Sequence, residues 1–324
     1  LRTNGTHRLA GYASRYTGKF GELIALCITI FGSILASTIY LILSISFFNL
    51  LIPGINPTHS LLIFWALSSF SVFFGIKRLS VAEFFSTYGI AAIILIIFAY
   101  GLEGAGRIST APAATLNTFF LPYGAILFSL SGRIAVTALI DYFKKRAGSG
   151  TKEPVRIIKN AKRAIIIGTL FPACIYALFV FAIISLSPIV SEDSVSGLIG
   201  SLPYYMLWLL GALGLIAMWS TYIAMIYDVS KSLRFDLKFP DLPAKILVVF
   251  TPLLLYFAGL KNFIGLVSFV GGIFISVESF LIILIWSRLP KPRHLSIFKS
   301  LNRFVLYGLL IIFVLGIITT LFPS

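Results

Sequence analysis

The sequence predicts an all-α, polytopic integral membrane protein with nine transmembrane helices, and three observations support this fold class. Of its 324 residues, 58% are hydrophobic and 11% are charged, whereas a soluble domain keeps about a quarter of its residues charged. Long apolar runs recur along the chain, and Lys and Arg lie almost entirely between them. These features exclude a soluble fold, and they make the net charge of +15 a topology signal rather than a nucleic-acid-binding patch.

The apolar runs define the predicted helices, because about 20 apolar residues in a helix cross a hydrocarbon core. The first run is long enough to tilt strongly or to extend beyond the bilayer. In order, the runs cover residues 20–51, 60–75, 81–102, 119–143, 164–187, 202–227, 244–260, 263–286 and 305–322.

The basic residues predict the orientation of these spans. All but three of the 26 Lys and Arg residues fall in alternate connections, and the exceptions are Arg107, Arg133 and Lys261. Because cytoplasmic connections retain positive charge, residue 1 is predicted to be cytoplasmic and residue 324 extracytoplasmic. We expect a multi-pass protein of the inner or plasma membrane. Its expected partner is the lipid bilayer, and we expect no nucleic acid to bind.

One of the exceptions, Arg133, lies inside the fourth run, in the stretch LFSLSGRIAV. It is ten residues from the apolar end of that run, which corresponds to ~15 Å of helix. Such a side chain should face the bundle interior or a wet cavity, either as a structural arginine bonded to carbonyl groups or in substrate, ion or gate chemistry. Glu278 lies at a similar predicted depth in the eighth run, and we hypothesise that the two charges pair or share a polar cavity.

The residues just before Arg133 predict a break in the fourth helix. Ser129, Ser131 and Gly132 crowd one turn. Glycine in a helix interior costs about 1 kcal/mol, and serine side chains compete for backbone hydrogen bonds. Broken helices at membrane depth line protein or water, and in secondary transporters they form the substrate site.

Five stretches, taken in order, share their patterns with one family of membrane proteins. They are HRLAGYASRYTGKFG followed by FGSILASTIY (7–40), NTFFLPYGAILFSLSG (117–132), RIIKNAKRAIIIGTLFPACIYALFVFAI (156–183), WSTYIAMIYDVSKSLRFD (219–236) and GGIFISVESFLIIL (271–284). They resemble, respectively, the third, sixth, seventh, eighth and tenth helix regions of the hydroxy/aromatic amino acid permease family. This family belongs to the amino acid-polyamine-organocation superfamily.

The resemblance implies a leucine-transporter-like fold of eleven helices, whose first ten form two inverted five-helix repeats. The nine spans would then be helices three to eleven, and the first two helices would lie outside this chain, which begins at Leu1 without a methionine. The expected division is a cytoplasmic segment (1–19), a three-helix remnant of the first repeat (20–102), an outer loop (103–118), the second repeat (119–286), a cytoplasmic linker (287–304) and an additional helix (305–324).

The resemblance also implies a substrate site. Ser129, Ser131 and Gly132 match the unwound segment of the family's sixth helix, where backbone groups receive the substrate. Arg133 follows at a position where the family leads us to expect a small or apolar residue. Tyr40 matches a third-helix tyrosine whose phenol would bond a substrate carboxylate, with packing as the alternative.

For ion coupling, Ser220 and Thr221 match an eighth-helix hydroxyl pair that offers oxygen atoms to Na⁺ in sodium-coupled relatives. Ordinary helix back-bonding is the alternative for both. Glu278 is the candidate proton carrier, because an intramembrane carboxyl group can alternate between charged and neutral states. The sequence leaves Na⁺ and H⁺ both open and predicts no other cofactor.

The expected function is therefore secondary transport of a neutral amino acid, such as tryptophan or tyrosine, by alternating access. Another substrate in the same superfamily, including a more anionic one attracted by Arg133, and a non-transporting sensor are the alternatives. A membrane enzyme is disfavoured, because His7, His59 and His294 lie in three separate loops and no HExxH motif is present.

Overall fold

A computed structural model describes residues 9–74, 79–104, 119–132, 135–136, 139, 142–143, 153–187, 189–288 and 303–322. Nearly all of this part of the chain is helical. The helices are α1 (Leu9–Leu51), α2 (Pro57–Phe74), α3 (Leu79–Gly101), α4 (Tyr123–Leu130), α5 (Glu153–Leu186), α6 (Tyr204–Phe235), α7 (Asp241–Phe257), α8 (Phe263–Phe269), α9 (Ser276–Arg288) and α10 (Arg303–Leu321). A π-helical turn, Val270–Ile275, joins α8 to α9.

The predicted fold class, an all-α polytopic membrane protein, is confirmed. Five helical segments are long and apolar enough to cross a membrane: Leu9–Leu51, Glu83–Gly104, Lys159–Leu186, Tyr204–Phe235 and Phe263–Arg288. Pro57–Phe73 and Val305–Leu321 are shorter apolar helices. Every predicted run therefore overlaps a helix in the part of the chain that the structure describes, while the number of membrane crossings stays a prediction.

The predicted cytoplasmic segment is partly helical, because α1 begins before the first apolar run. Gly18 interrupts α1 with φ 80° and ψ −173°, a left-handed φ that glycine adopts without steric cost. Before this kink, Ala10 and Ala13 are buried in a cluster with Leu281 and Ile285 of α9. The first turns of α1 are thus held by packing on α9, although they precede the apolar run.

The helices form two compact units. Unit 1 comprises Leu1–Gly32, Thr115–Phe171 and Val267–Ser324, and unit 2 comprises Ser33–Ala114 and Pro172–Leu266. Helices α1, α5 and α8 contribute residues to both units. This division differs from the boundaries of the predicted inverted repeats. Repeats are defined by symmetry and not by compactness, so the repeat boundaries stay a prediction.

In unit 2, α3 and α6 pack against each other along much of their length. Gly89 faces Leu213, and Glu83 faces Ser220 seven residues further along α6, so the two helices run antiparallel. Near their other ends, both contribute to a buried apolar cluster. Its members are Leu50, Ile93, Ile97, Ala182, Ile183, Val195, Leu198, Leu202, Met206, Leu207 and Leu210.

The same unit contains polar contacts between helices that the hydrophobic pattern does not reveal. Trp65 Nε1 donates to the Val249 carbonyl at 3.0 Å and thereby joins α2 to α7. Trp219 Nε1 donates to Ser71 Oγ at 3.2 Å, and the Tyr227 hydroxyl donates to the Val72 carbonyl at 2.9 Å. The bonds of Trp219 and Tyr227 fix the rotation of α6 relative to α2, which apolar packing alone specifies weakly.

The connection between α5 and α6 folds around one carboxylate, Asp193. It accepts hydrogen bonds from the Ser191 hydroxyl at 2.7 Å and the Ser196 amide at 3.0 Å, and Ser46 of α1 is a further partner. Burial alone would raise the pKa of Asp193, but these hydrogen bonds outweigh it and hold the pKa below its usual value. The loop is therefore tied to α1 by an ionised group.

Candidate functional site

The predicted break in the fourth span is confirmed. Helix α4 ends at Leu130, and Ser131 follows in an extended conformation with φ −70° and ψ 105°. The Ser129 hydroxyl donates to the Ile126 carbonyl at 3.0 Å, and the Ala135 amide donates to the Gly132 carbonyl at 3.1 Å where helical structure resumes. Ser129, Ser131 and Gly132 are thus brought together at an exposed helix end in unit 1.

Backbone contact with the eighth span positions this broken helix. A Cβ atom on Gly124 of α4 would lie 2.5 Å from the Ser268 carbonyl oxygen and 2.8 Å from the Ser268 Cα atom. A Cβ atom on Gly271 in the π-helical turn would lie even closer to the Gly124 carbonyl oxygen. A hydrogen bond of 3.0 Å between the Tyr123 and Ser276 hydroxyl groups adds a polar contact. The helix that ends at the break, α4, is therefore in direct backbone contact with the eighth span.

The π-helical turn is a feature that sequence reasoning missed. It contains Gly271 and Gly272, and both are buried. Single π-helical turns inside α-helices are rare and occur frequently at functional sites. The adjacent glycines in an otherwise apolar run were the available signal, but their packing partners, Gly124 and Thr320, are distant in sequence.

Glu278 lies in the first turn of α9, two residues beyond the contact between Ser276 and Tyr123. Its side chain is only 6% exposed. Glu278 therefore lies on the helix that contacts α4 through Tyr123, and its role in coupling stays a prediction. Arg133 lies outside the described residues, so its role and its pairing with Glu278 stay predictions.

The other predicted site residues belong to unit 2. Tyr40 is half-buried on α1, and its phenol is close enough to that of Tyr176 on α5 for an electrostatic interaction. The Ser220 and Thr221 hydroxyl groups both approach the Ala217 carbonyl, at 3.0 Å and 2.9 Å. Both hydroxyls thus make the helix back-bonds that were the alternative to ion binding, and their coupling role stays a prediction.

A residue that the sequence-based site did not include, Glu83 of α3, approaches Ser220. Its carboxyl group lies within hydrogen-bonding reach of the Ser220 hydroxyl. Ser220 is 2% exposed, and Glu83 is half-buried. An acidic residue near the start of an apolar run was a visible signal, but only the packing of α3 on α6 reveals its partner.

These features define a polytopic α-helical membrane protein with a discontinuous helix packed on a π-distorted one. The chain is similar to the solved structure of Mhp1 in its inward-facing conformation, with a TM-score of 0.52 and 18% sequence identity over 96% of this chain and 75% of the Mhp1 chain. This similarity shows a leucine-transporter-like fold. No family model and no curated protein matches the sequence, so membership of the hydroxy/aromatic amino acid permease family stays a prediction.

Proposed function

We propose that the protein is a secondary active transporter, an amino acid permease for neutral substrates such as tryptophan or tyrosine. It would work by alternating access, with H⁺ or Na⁺ as the coupling ion. The observation that carries this proposal is the interrupted helix at Ser131 and Gly132, within a fold like that of Mhp1. Discontinuous helices at the substrate site are a recurring feature of secondary transporters.

The chemistry of the break suits a zwitterion. The last carbonyl groups of a helix have no partners within that helix and carry partial negative charge, so those of α4 would attract an ammonium group. Amide groups beyond the break would attract a carboxylate. Such a site recognises the shared backbone of amino acids and leaves selectivity to the surrounding side chains, among which Arg133 and Tyr40 are our candidates.

Rigid support makes this arrangement effective, because a binding site on a loosely held helix loses affinity to disorder. The backbone contact of Gly124 with Ser268 provides this support. For proton coupling we propose Glu278, which is buried on the supporting helix. For sodium coupling, Ser220 and Thr221 would have to exchange their bonds to Ala217 for bonds to the ion.

The direct test is uptake of radiolabelled tryptophan and tyrosine by proteoliposomes that contain the full-length gene product, with sodium and pH gradients imposed separately. Concentrative uptake that depends on one of these gradients is the expected result. Binding without uptake under either gradient would contradict transport and favour a sensor. Absence of both would exclude these two amino acids as substrates.

The substitution Gly132→Ala tests whether the substrate binds at the interruption of the fourth span. Among the residues that the structure describes, a methyl group added by Gly132→Ala would meet no atom within 4 Å, so the fold should tolerate it. If the substrate contacts this backbone, the methyl group will occupy space that the substrate needs and weaken binding by about 1–3 kcal/mol. The KM for the substrate should then rise roughly tenfold. Gly168→Ala on α5 is the matched control, because its added methyl group also meets no described atom within 4 Å. Equal KM values for the two variants would contradict a substrate at the break.

A further inference from the structure

Helix α10, the additional helix beyond the predicted repeats, has one buried point along its length. Of residues 305–322, only Gly316 is buried, whereas large apolar side chains such as Ile311, Val314 and Ile318 are exposed. In a membrane these side chains face lipid, which is as apolar as they are, so helices associate through close packing at small residues instead. The close contacts around Gly316 are therefore the main attachment of α10 to the rest of unit 1.

The first of these contacts packs the Tyr123 ring of α4 against the backbone of Gly316. A Cβ atom on Gly316 would overlap one edge of that ring, at its Cδ1, Cε1 and Cζ atoms. The Tyr123 hydroxyl lies 3.0 Å from the Ser276 hydroxyl of α9. The ring thus lies between α10 and α9, and a residue without a side chain at position 316 leaves room for it.

The second contact lies one turn further along α10, at Thr320. The Thr320 hydroxyl donates to the Gly316 carbonyl at 2.7 Å, which holds the side chain in one orientation. In that orientation its oxygen atom occupies the space that a Cβ atom on Gly272 would need. Gly272 belongs to the π-helical turn, so α10 contacts both the broken helix and the turn on which that helix packs.

Two contacts prevent the Tyr123 ring from moving aside. Its helix is in backbone contact with the eighth span through Gly124 and Ser268, and rotation of the ring away from α10 would break its bond to Ser276. A larger residue at this point of α10 would therefore displace α4. Leu130, where α4 ends, is about 10 Å along the helix from Tyr123, so a displaced α4 moves the break with it.

We propose that α10 positions the discontinuous helix, with Gly316 as the positioning residue against which Tyr123 packs and Thr320 as a second contact through the π-helical turn. The proposal rests on the transport function proposed above and deepens it, because it names a support of the substrate site outside the predicted repeats. Residues of α10 then control substrate affinity through Tyr123, without touching the substrate.

The first measurement is the concentration dependence of uptake by proteoliposomes that contain the full-length protein. Gly316→Ala should raise KM roughly tenfold, because the added methyl group overlaps the Tyr123 ring and displaces the binding helix. Gly308→Ala, about two turns earlier on the same helix, adds a methyl group that meets no described atom within 4 Å, and it should keep the wild-type KM. Equal KM values in the two variants would overturn the proposal. A lower maximal rate with unchanged KM would also overturn it, since that result reports less folded protein and no displaced site.

A double-mutant cycle tests the direct contact between Gly316 and Tyr123. Tyr123→Leu removes the ring that the new methyl group would meet, so in that background Gly316→Ala should change KM by no more than about twofold, which is the limit of ordinary additivity. A full tenfold rise in both backgrounds would overturn the proposal. If Gly316→Ala alone does not fold, recovery of folded protein in the double variant reports the same contact, and no recovery overturns it.

The second contact is tested by the same exchange of size. Thr320→Ala removes the oxygen atom that a methyl group from Gly272→Ala would meet. Gly272→Ala should therefore raise KM in the wild type but much less in the Thr320→Ala background, since residues in contact have non-additive effects. Thr319→Ala is the matched control, because its hydroxyl also donates to the Gly316 carbonyl, at 3.2 Å. Equal effects of Gly272→Ala in the two threonine backgrounds would remove Thr320 from the proposal.

Thiol modification separates this proposal from the transport function, because it needs no substrate. Ser131→Cys, combined with Cys27→Ser and Cys174→Ser, leaves one thiol in the chain, and it lies at the exposed break. Its rate of modification by a small water-soluble maleimide should change several-fold with Gly316→Ala and stay unchanged with Gly308→Ala. If no amino acid is transported but the rate responds in this way, the transport proposal fails and the positioning by α10 stands. Equal rates in both glycine variants would overturn the positioning whatever is transported.

Discussion

We predict that Gly124→Ala, which disturbs the contact between α4 and the eighth span, lowers both the stability of the protein and its affinity for substrate. The added Cβ atom would lie 2.5 Å from the Ser268 carbonyl oxygen, 2.8 Å from its Cα atom and 3.0 Å from its carbonyl carbon. All three are backbone atoms, so no side chain can rotate away. Ordinary van der Waals contact begins at 3.4 Å, so α4 would have to move away by most of an ångström.

The expected cost follows from that displacement. Overpacking a well-packed contact destabilises a protein by about 1–3 kcal/mol. The same movement carries the helix end at Leu130 with it, so we also expect KM for the substrate to rise roughly tenfold, which corresponds to about 1.4 kcal/mol of binding free energy. Stability and affinity should therefore fall together.

Two assays measure this prediction: the free energy of unfolding in mild detergent, and the concentration dependence of uptake by proteoliposomes. Gly308→Ala on α10 is the matched control, because its added methyl group meets nothing within 4 Å in the part of the chain that the structure describes. It should be neutral or stabilise the protein by up to about 1 kcal/mol, since alanine favours helix over glycine. If Gly124→Ala matches Gly308→Ala in both assays, the reasoning that places the substrate site on a rigid α4 is refuted.

Two further predictions concern single polar contacts. Asp193→Asn should loosen the connection between α5 and α6 by about 1–3 kcal/mol, since hydrogen bonds to a charged acceptor are worth that much, and faster amide hydrogen exchange at Val195 and Ser196 would show it. Because the folded-state pKa of Asp193 is depressed, its contribution is present above the ordinary carboxyl pKa and is lost as the pH falls through the depressed value. Protection of these amides, measured relative to the intrinsic exchange rate at each pH, should therefore fall in acid in the wild type but change little in Asp193→Asn. Tyr123→Phe removes the 3.0 Å bond to Ser276 and should cost about 1 kcal/mol of unfolding free energy, whereas no change in that free energy would show that the bond does not hold α4.

The sequence predicted the helices and the break well, because both depend on neighbouring residues. Apolar runs determine which segments enter the membrane, and the cluster of Ser129, Ser131 and Gly132 determines where the fourth helix ends. The beginning of α1 was not predicted, because residues before Gly18 are held by burial of Ala10 and Ala13 against α9. Their own composition resembles that of a connecting loop.

The polar partners within the bundle could not be predicted. Counting residues along a helix gives the depth of a side chain in the membrane, but the rotation of the helix decides what that side chain meets. The sequence therefore showed Glu83 as an acid near one end of its run and Ser220 as a hydroxyl near the middle of another. Only the antiparallel packing of α3 on α6 brought them together.

The sequence by itself thus determined the membrane class, the helical segments and the position of the discontinuous helix, since these follow from hydrophobicity and local backbone preference along the chain. The tertiary structure decided that α4 meets the π-helical turn through Gly124 and Gly271, that Asp193 ties its loop to Ser46, and that Glu83 faces Ser220. The physical reason is that each of these contacts joins residues far apart in the chain, whose meeting depends on how whole helices rotate and pack to bring backbone and polar groups into contact.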